Sequence, residues 1–149
     1  MGTTRITSGY EHRAAEVGIT EVDIRELIPA FYAKVRCDSI LGSVFERIIG
    51  GNWPTHIETV CSFWLYVTRL DRHYNAQNFM HAHLRQPIIR AELLPRWLAL
   101  FRDTACELCA PAKADALTDI ARRMADTLEI SLNKRDARAG AASARGYSG

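Results

Sequence analysis

The chain has 149 residues, 48% of them hydrophobic and 24% charged, with a formal net charge of +2 at pH 7. That length and balance suit one globular domain with a sizeable core, and the near-neutral charge gives no general electrostatic case for nucleic acid or an anionic membrane surface. No apolar run reaches the roughly 18 residues of a membrane span, and the first residues lack the basic-then-apolar pattern of a secretory leader, so the expected location is the cytoplasm.

Residues 1–19 are polar and weakly periodic, an N-terminal extension that is partly disordered or carries a short helix near Tyr10–Val17. The first firm element begins at Thr20, a good N-cap, with Glu21 and Asp23 placed to complement the helix dipole. Ile24, Leu27, Ile28, Phe31 and Val35 then recur at helical spacing, with Tyr32 at the edge of the stripe. Pro29 interrupts this helix and is able to kink it. Asp38-Ser39 and Gly42-Ser43 bracket a turn, and Val44, Phe45, Ile48 and Ile49 predict a short helix that Gly50-Gly51-Asn52 ends. Asn52 can cap a helix running to about Leu70, whose broad face carries Trp53, His56, Val60, Phe63, Trp64 and Val67.

The stretch from His73 to Pro87 holds three of the five histidines. Phe79 to Leu84 can form one or two helical turns, on which His81 and His83 point to nearly opposite sides. His83 shares its side with Phe79 and Met80, so it is the buried candidate, and His81 is expected to meet water. A buried histidine is either a core residue with satisfied ring nitrogens or an axial ligand to a metal or haem iron. From Ala91 or Leu94 a long helix runs to Cys109 with Leu94, Trp97, Leu98, Phe101, Ala105 and Leu108 as its stripe. Pro111 opens the last helix, where Leu117, Ile120, Ala121, Met124 and Leu128 are periodic. Past Leu132 the small, polar, basic composition predicts a disordered tail over residues 133–149.

No segment alternates with period two, so the fold class is all-α, and the unequal helices suit steep crossings around a pocket better than an up-and-down bundle. Cys106 and Cys109 form a CxxC within the last turns of a helix, with no second pair, so these, Cys37 and Cys61 are expected to be free thiols. Four helical segments each present a polar-tipped ring on an apolar face: Tyr32, His56, His83 and Trp97. Singly, each reads as core. Together they are what a buried prosthetic group needs.

Four stretches carry a resemblance: FYAKVRCDSILGSVF (Phe31–Phe45), WPTHIETVCSFW (Trp53–Trp64), HYNAQNFMHAHLRQP, and RWLALFRDT (Arg96–Thr104). In that order and at those intervals the sequence resembles the group III truncated haemoglobins of bacteria over about Ile24–Leu128. The resemblance implies a truncated globin fold over residues 20–132, with helices B, C, E, F, G and H around a haem pocket, and haem b (iron protoporphyrin IX) as cofactor. It implies His83, in His-Leu-x-x-Pro, as the proximal iron ligand. Tyr32, His56 and Trp97 fall on the distal positions, and Phe31, Val60, Phe63 and Trp64 on the pocket lining. The loop Tyr74–Met80 departs from the family pattern, since it is one residue longer and has neither Gly nor Pro. Arg72, Tyr74 and Arg90 are candidate contacts to the haem propionates.

What the resemblance implies of function is binding of O2 and related diatomic ligands (NO, CO) at iron. NO or peroxide detoxification, with an electron-donor reductase as partner, is an extension of it. A monomer is expected, with no nucleic acid or membrane partner. Two other classes remain: a haem-free all-α interaction module, in which the four rings are plain core, and a haem-based ligand sensor.

Overall fold

The computed structural model describes residues 14–68, 70 and 82–146, and the expectations for Arg72, Tyr74, the loop around them and His81 lie outside these. The elements in order are α1 (Glu21–Cys37), α2 (Leu41–Ile49), α3 (Trp53–Val67), a helical turn at 82–84, a 3-10 turn (Ala91–Leu93), α4 (Leu94–Leu108) and α5 (Pro111–Gly146). Residues 14–17 are also helical, with Ala14 and Ile19 buried. Among the described residues there is no strand, and no helix is long and apolar enough to cross a membrane.

Local chemistry sets the helix ends. Thr20 and Asp23 form a reciprocal capping box: the Thr20 Oγ1 accepts from the Asp23 N–H at 3.2 Å, and the Asp23 carboxylate accepts from the Thr20 N–H at 2.9 Å. Two N–H groups that the helix start would otherwise leave unpaired are thereby satisfied. Asp23 also pairs with Lys113 at 2.9 Å, tying the start of α1 to the start of α5. Helix α1 runs on through Pro29, which lies on its exposed face. Gly50, at φ 58°, closes α2 in a conformation that costs glycine little. Asn52 stands at the N-cap of α3 as expected, but its side chain makes no capping hydrogen bond, and Pro54 occupies the first turn. Helix α3 ends at Val67 rather than near Leu70.

Asp38 organises the corner between α1 and α2. Its carboxylate accepts from the N–H groups of Ile40 (3.0 Å) and Leu41 (2.8 Å). It also accepts from the Arg96 Nε at 2.7 and 2.9 Å, which fastens the corner to α4. Gly42 permits the sharp return: a Cβ there would lie 2.6 Å from the Arg36 carbonyl oxygen, closer than backbone can tolerate. Beyond the corner, the Trp53 indole N–H donates to Glu46 at 3.1 Å, and the Arg36 guanidinium lies 4.6 Å over the Trp53 ring. These contacts fix α2 against the start of α3.

Helix α1 is the hub, packing on α2, α3 and α4 through Ile24, Leu27, Ile28, Phe31 and Val35, while α4 and α5 form the most extensive helix pair. The far side of α3 meets α4 through one aromatic column. Trp64 stacks on Phe101 (5.1 Å, 10°), and Trp97 stacks on Phe101 (5.8 Å, 20°).

The last helix corrects an expectation. It continues to Gly146, where disorder is expected beyond Leu132. The small and basic residues of that stretch are mostly compatible with helix, Ala, Lys and Arg being good helix formers. Leu132 is fully buried, and the Arg135 side chain, 19% exposed, is bound to carbonyls of the 84–89 segment.

Asp38 yields a prediction. Hydrogen bonds from Arg96 first, opposed by desolvation, and then from Leu41 and Ile40, hold its carboxyl down at about 2. A pKa lowered on folding stabilises above the unfolded value of about 3.9, and that contribution is lost as pH falls toward 2. Asp38→Asn should lower stability at neutral pH by about 1–3 kcal/mol. Urea unfolding at a series of pH values should also show that the variant loses less stability than wild type between about pH 4 and about pH 2.

Candidate functional site

A cavity of about 370 Å³ lies between the helices and the 82–94 segment, within the range of roughly 300–1,000 Å³ typical of small-molecule and cofactor sites. Tyr32 enters it from α1, His56, Val60, Phe63 and Trp64 from α3, His83 from the helical turn at 82–84, and Trp97 from α4. Seven of the eight sequence-predicted residues therefore share one cavity. Phe31 does not line it. It stands behind the wall, edge-on to Tyr32 (5.0 Å), Phe101 (5.3 Å) and Trp97 (5.5 Å). The reason is helical geometry: Phe31 and Tyr32 are adjacent, so about 100° separates them, and only one can face the cavity.

The remaining walls are apolar. Leu41, Val44, Phe45 and Ile48 come from α2, and Met124 and Leu128 from α5. Sequence periodicity marks most of these as buried stripes but carries no signal that a stripe faces a cavity rather than another helix. Two cations stand at the lining, Arg85 and Arg90. Arg90 is paired with Glu92 at 3.3 Å, and both are exposed. Arg85 is exposed and has no acidic partner among the described residues.

The polar groups of the cavity are tuned by burial. Desolvation pushes the Tyr32 hydroxyl well above its ordinary pKa, and an interaction with the Trp97 indole offsets part of this. The hydroxyl therefore keeps its proton at neutral pH and stays a donor. Beside it, 5.1 Å between ring centroids and perpendicular, lies His56. Desolvation, aided by the charge of His83, brings the His56 imidazole down to about 4, so it is neutral at physiological pH. Its buried Nε2 has no hydrogen-bond partner. Buried polar atoms are nearly always satisfied, so an unpartnered nitrogen at an apolar cavity marks a place where a ligand belongs.

Among the described residues no group of three or more His, Cys, Asp or Glu side chains could hold a bare metal ion. The donor set instead suits a large, flat, apolar group with its own metal and acidic edges: His83 as one imidazole donor, Arg85 and Arg90 at the margin, and aromatic and aliphatic walls. The four cysteines are free thiols; Cys61 is buried, and Cys37 and Cys106 are exposed.

No family model matches the chain. Over 89 residues it is 33% identical to the group 3 truncated hemoglobin ctb of Campylobacter jejuni, a match spanning 58% of this chain and 69% of that protein. Its fold superposes on the crystal structure of the group III truncated hemoglobin from Campylobacter jejuni with a TM-score of 0.71 at 27% identity. That match covers 76% of this chain and 91% of the other.

The depressed His56 pKa can be checked without any ligand. In cofactor-free protein the His56 ring should titrate near pH 4 by NMR, and a value near the ordinary 6.5 would contradict the desolvated geometry. Since the unfolded chain takes up that proton first, stability should decline as pH falls from about 6.5 toward about 4, and His56→Phe should flatten the decline.

Proposed function

This chain belongs to the group III truncated haemoglobins, a family of globin haem proteins, and we propose that it holds haem b in the cavity and binds O2 and related diatomic gases there. The observation that carries the proposal is one apolar cavity uniting two ring donors, the buried Tyr32 and the half-buried Trp97, with the unpartnered His56 and the imidazole of His83. When bound, haem supplies an iron with one position for the protein and one for a gas.

His83 takes the protein side. It is the histidine of His-Leu-x-x-Pro and lines the cavity. Arg85 and Arg90, at the margin of the cavity, would hold the acidic edge of the group. Tyr32, His56 and Trp97 form the gas side. The Tyr32 hydroxyl, kept protonated by burial, donates toward a ligand whose outer atom gathers negative charge, and the Trp97 N–H donates from α4. Neutral His56 offers either an N–H to the ligand or a lone pair to the metal. Val60, Phe63 and Trp64 exclude water, which strengthens each of these bonds.

The two donors also favour a second reading. A site that holds a gas tightly releases it slowly, which suits turnover of NO or peroxide, with electrons from a reductase, better than carriage.

The first experiment is an absorption spectrum of purified protein, as isolated, reduced, and reduced with CO. A Soret band that shifts with CO is expected; no Soret band even after haem addition would sink the proposal in favour of a haem-free helical module. His83→Ala should abolish stable haem uptake. Tyr32→Phe should speed O2 release by about ten- to a hundredfold, the value of a charge-assisted hydrogen bond of roughly 1.5–3 kcal/mol. An unchanged rate would pass the donor role to Trp97 or His56.

A further inference from the structure

The segment that carries His83 is short and has little regular structure to hold it. After the helical turn at 82–84 the chain runs through Pro87, with turn bonds from the Gln86 N–H to the His83 carbonyl (3.2 Å) and from the Ile89 N–H to the Gln86 carbonyl (3.0 Å). A helical turn of this length leaves its last carbonyls without intrahelical donors. Further donors to the turn and to the backbone after it come from α5. Arg135, on the part of α5 beyond Leu132, donates Nη2 to the Ile89 carbonyl (2.6 Å) and Nη1 to the carbonyls of Gln86 (3.0 Å) and Leu84 (3.5 Å). Its Nε meets the neighbouring Asp136 carboxylate at 2.9 Å, which holds the guanidinium in plane for this task.

We propose that Arg135 is a positioning residue for the proximal ligand: its guanidinium latches the backbone on the C-terminal side of His83 to α5 and so fixes how the imidazole meets the haem iron. The inference rests on the reading of His83 as that ligand. The geometry favours it over a generic surface contact for two reasons. All three acceptors are carbonyls within six residues of His83, and Gln86 is itself bonded to the His83 carbonyl, so the tether reaches the ligand through one intervening hydrogen bond. The planar fork of arginine is also the side chain able to serve separate carbonyls at once. Lysine carries its donors on one nitrogen and lacks the two separated Nη groups that reach these carbonyls here.

The test uses the haem-loaded full chain with Arg135→Met, which keeps the stem and removes the fork. Lys113→Ala serves as the control; it breaks the Lys113–Asp23 pair at the other end of α5, away from the cavity. Three readouts are taken: amide hydrogen exchange over residues 84–89, the rate of haem loss to an acceptor globin, and the iron–histidine stretching band of the ferrous protein. Arg135→Met should raise exchange in that segment by about tenfold or more, speed haem loss, and shift or broaden the iron–histidine band. Lys113→Ala should lower the unfolding midpoint while leaving all three at wild-type values. The latch is overturned if Arg135→Met leaves exchange and the iron–histidine band unchanged, or if Lys113→Ala alters them equally, since the effect is then one of general destabilisation. His83→Ala separates the two readings. Loss of haem in that variant with no effect of Arg135→Met rejects the latch alone. Normal haem retention in it rejects the ligand assignment, and the latch with it.

Discussion

The column Trp64–Phe101–Trp97, braced edge-on by Phe31, is the constraint on which the rest of the molecule depends. Protein interiors ordinarily close to crystal-like density, and a void the size of this cavity is filled by relaxation unless its walls are rigid. Large rings stacked across two helices supply that rigidity. The column fixes α3 against α4, and with it the wall of the cavity that Trp64 and Trp97 line.

Outside the cavity the helices are pinned by discrete polar contacts, and their worth differs with exposure. Lys34–Glu107 and Arg25–Glu58 are largely solvent-exposed and contribute little. Asp38 differs, because its side chain is only 9% exposed and serves two helix N–H groups as well as Arg96. It fixes the angle between α1 and α2, and α2 supplies the apolar wall facing the polar groups of the site.

Much of this was legible in the chain. The Thr20 cap, the glycine stop at Gly50 and the helical stripes all follow from local chemistry, which acts over a few residues. The site residues stood out because a ring with a polar tip on an apolar face is costly unless it meets something. What could not be read depends on distant partners. Phe31 and Tyr32 are both aromatic and adjacent, and only the packing of α4 decides which one faces the cavity. The continuation of α5 is hidden in the sequence because the composition beyond Leu132 resembles a solvated tail. Its order goes with Arg135, whose acceptors are backbone carbonyls 46 to 51 residues earlier, and carbonyls leave no mark in a sequence.

That separation bears on the order in which the molecule is assembled. Chains emerge from the ribosome N-terminus first, and their parts fold as they become available. The residues around His83 are made well before Arg135, so for an interval the aromatic wall of the cavity and His83 are both outside the ribosome while the backbone that follows His83 lacks its bonds to Arg135. Completion of the binding site is thus coupled to completion of the last helix. Nascent and finished chains share most of the cavity lining, yet differ in the bonds from Arg135 to the backbone that follows His83.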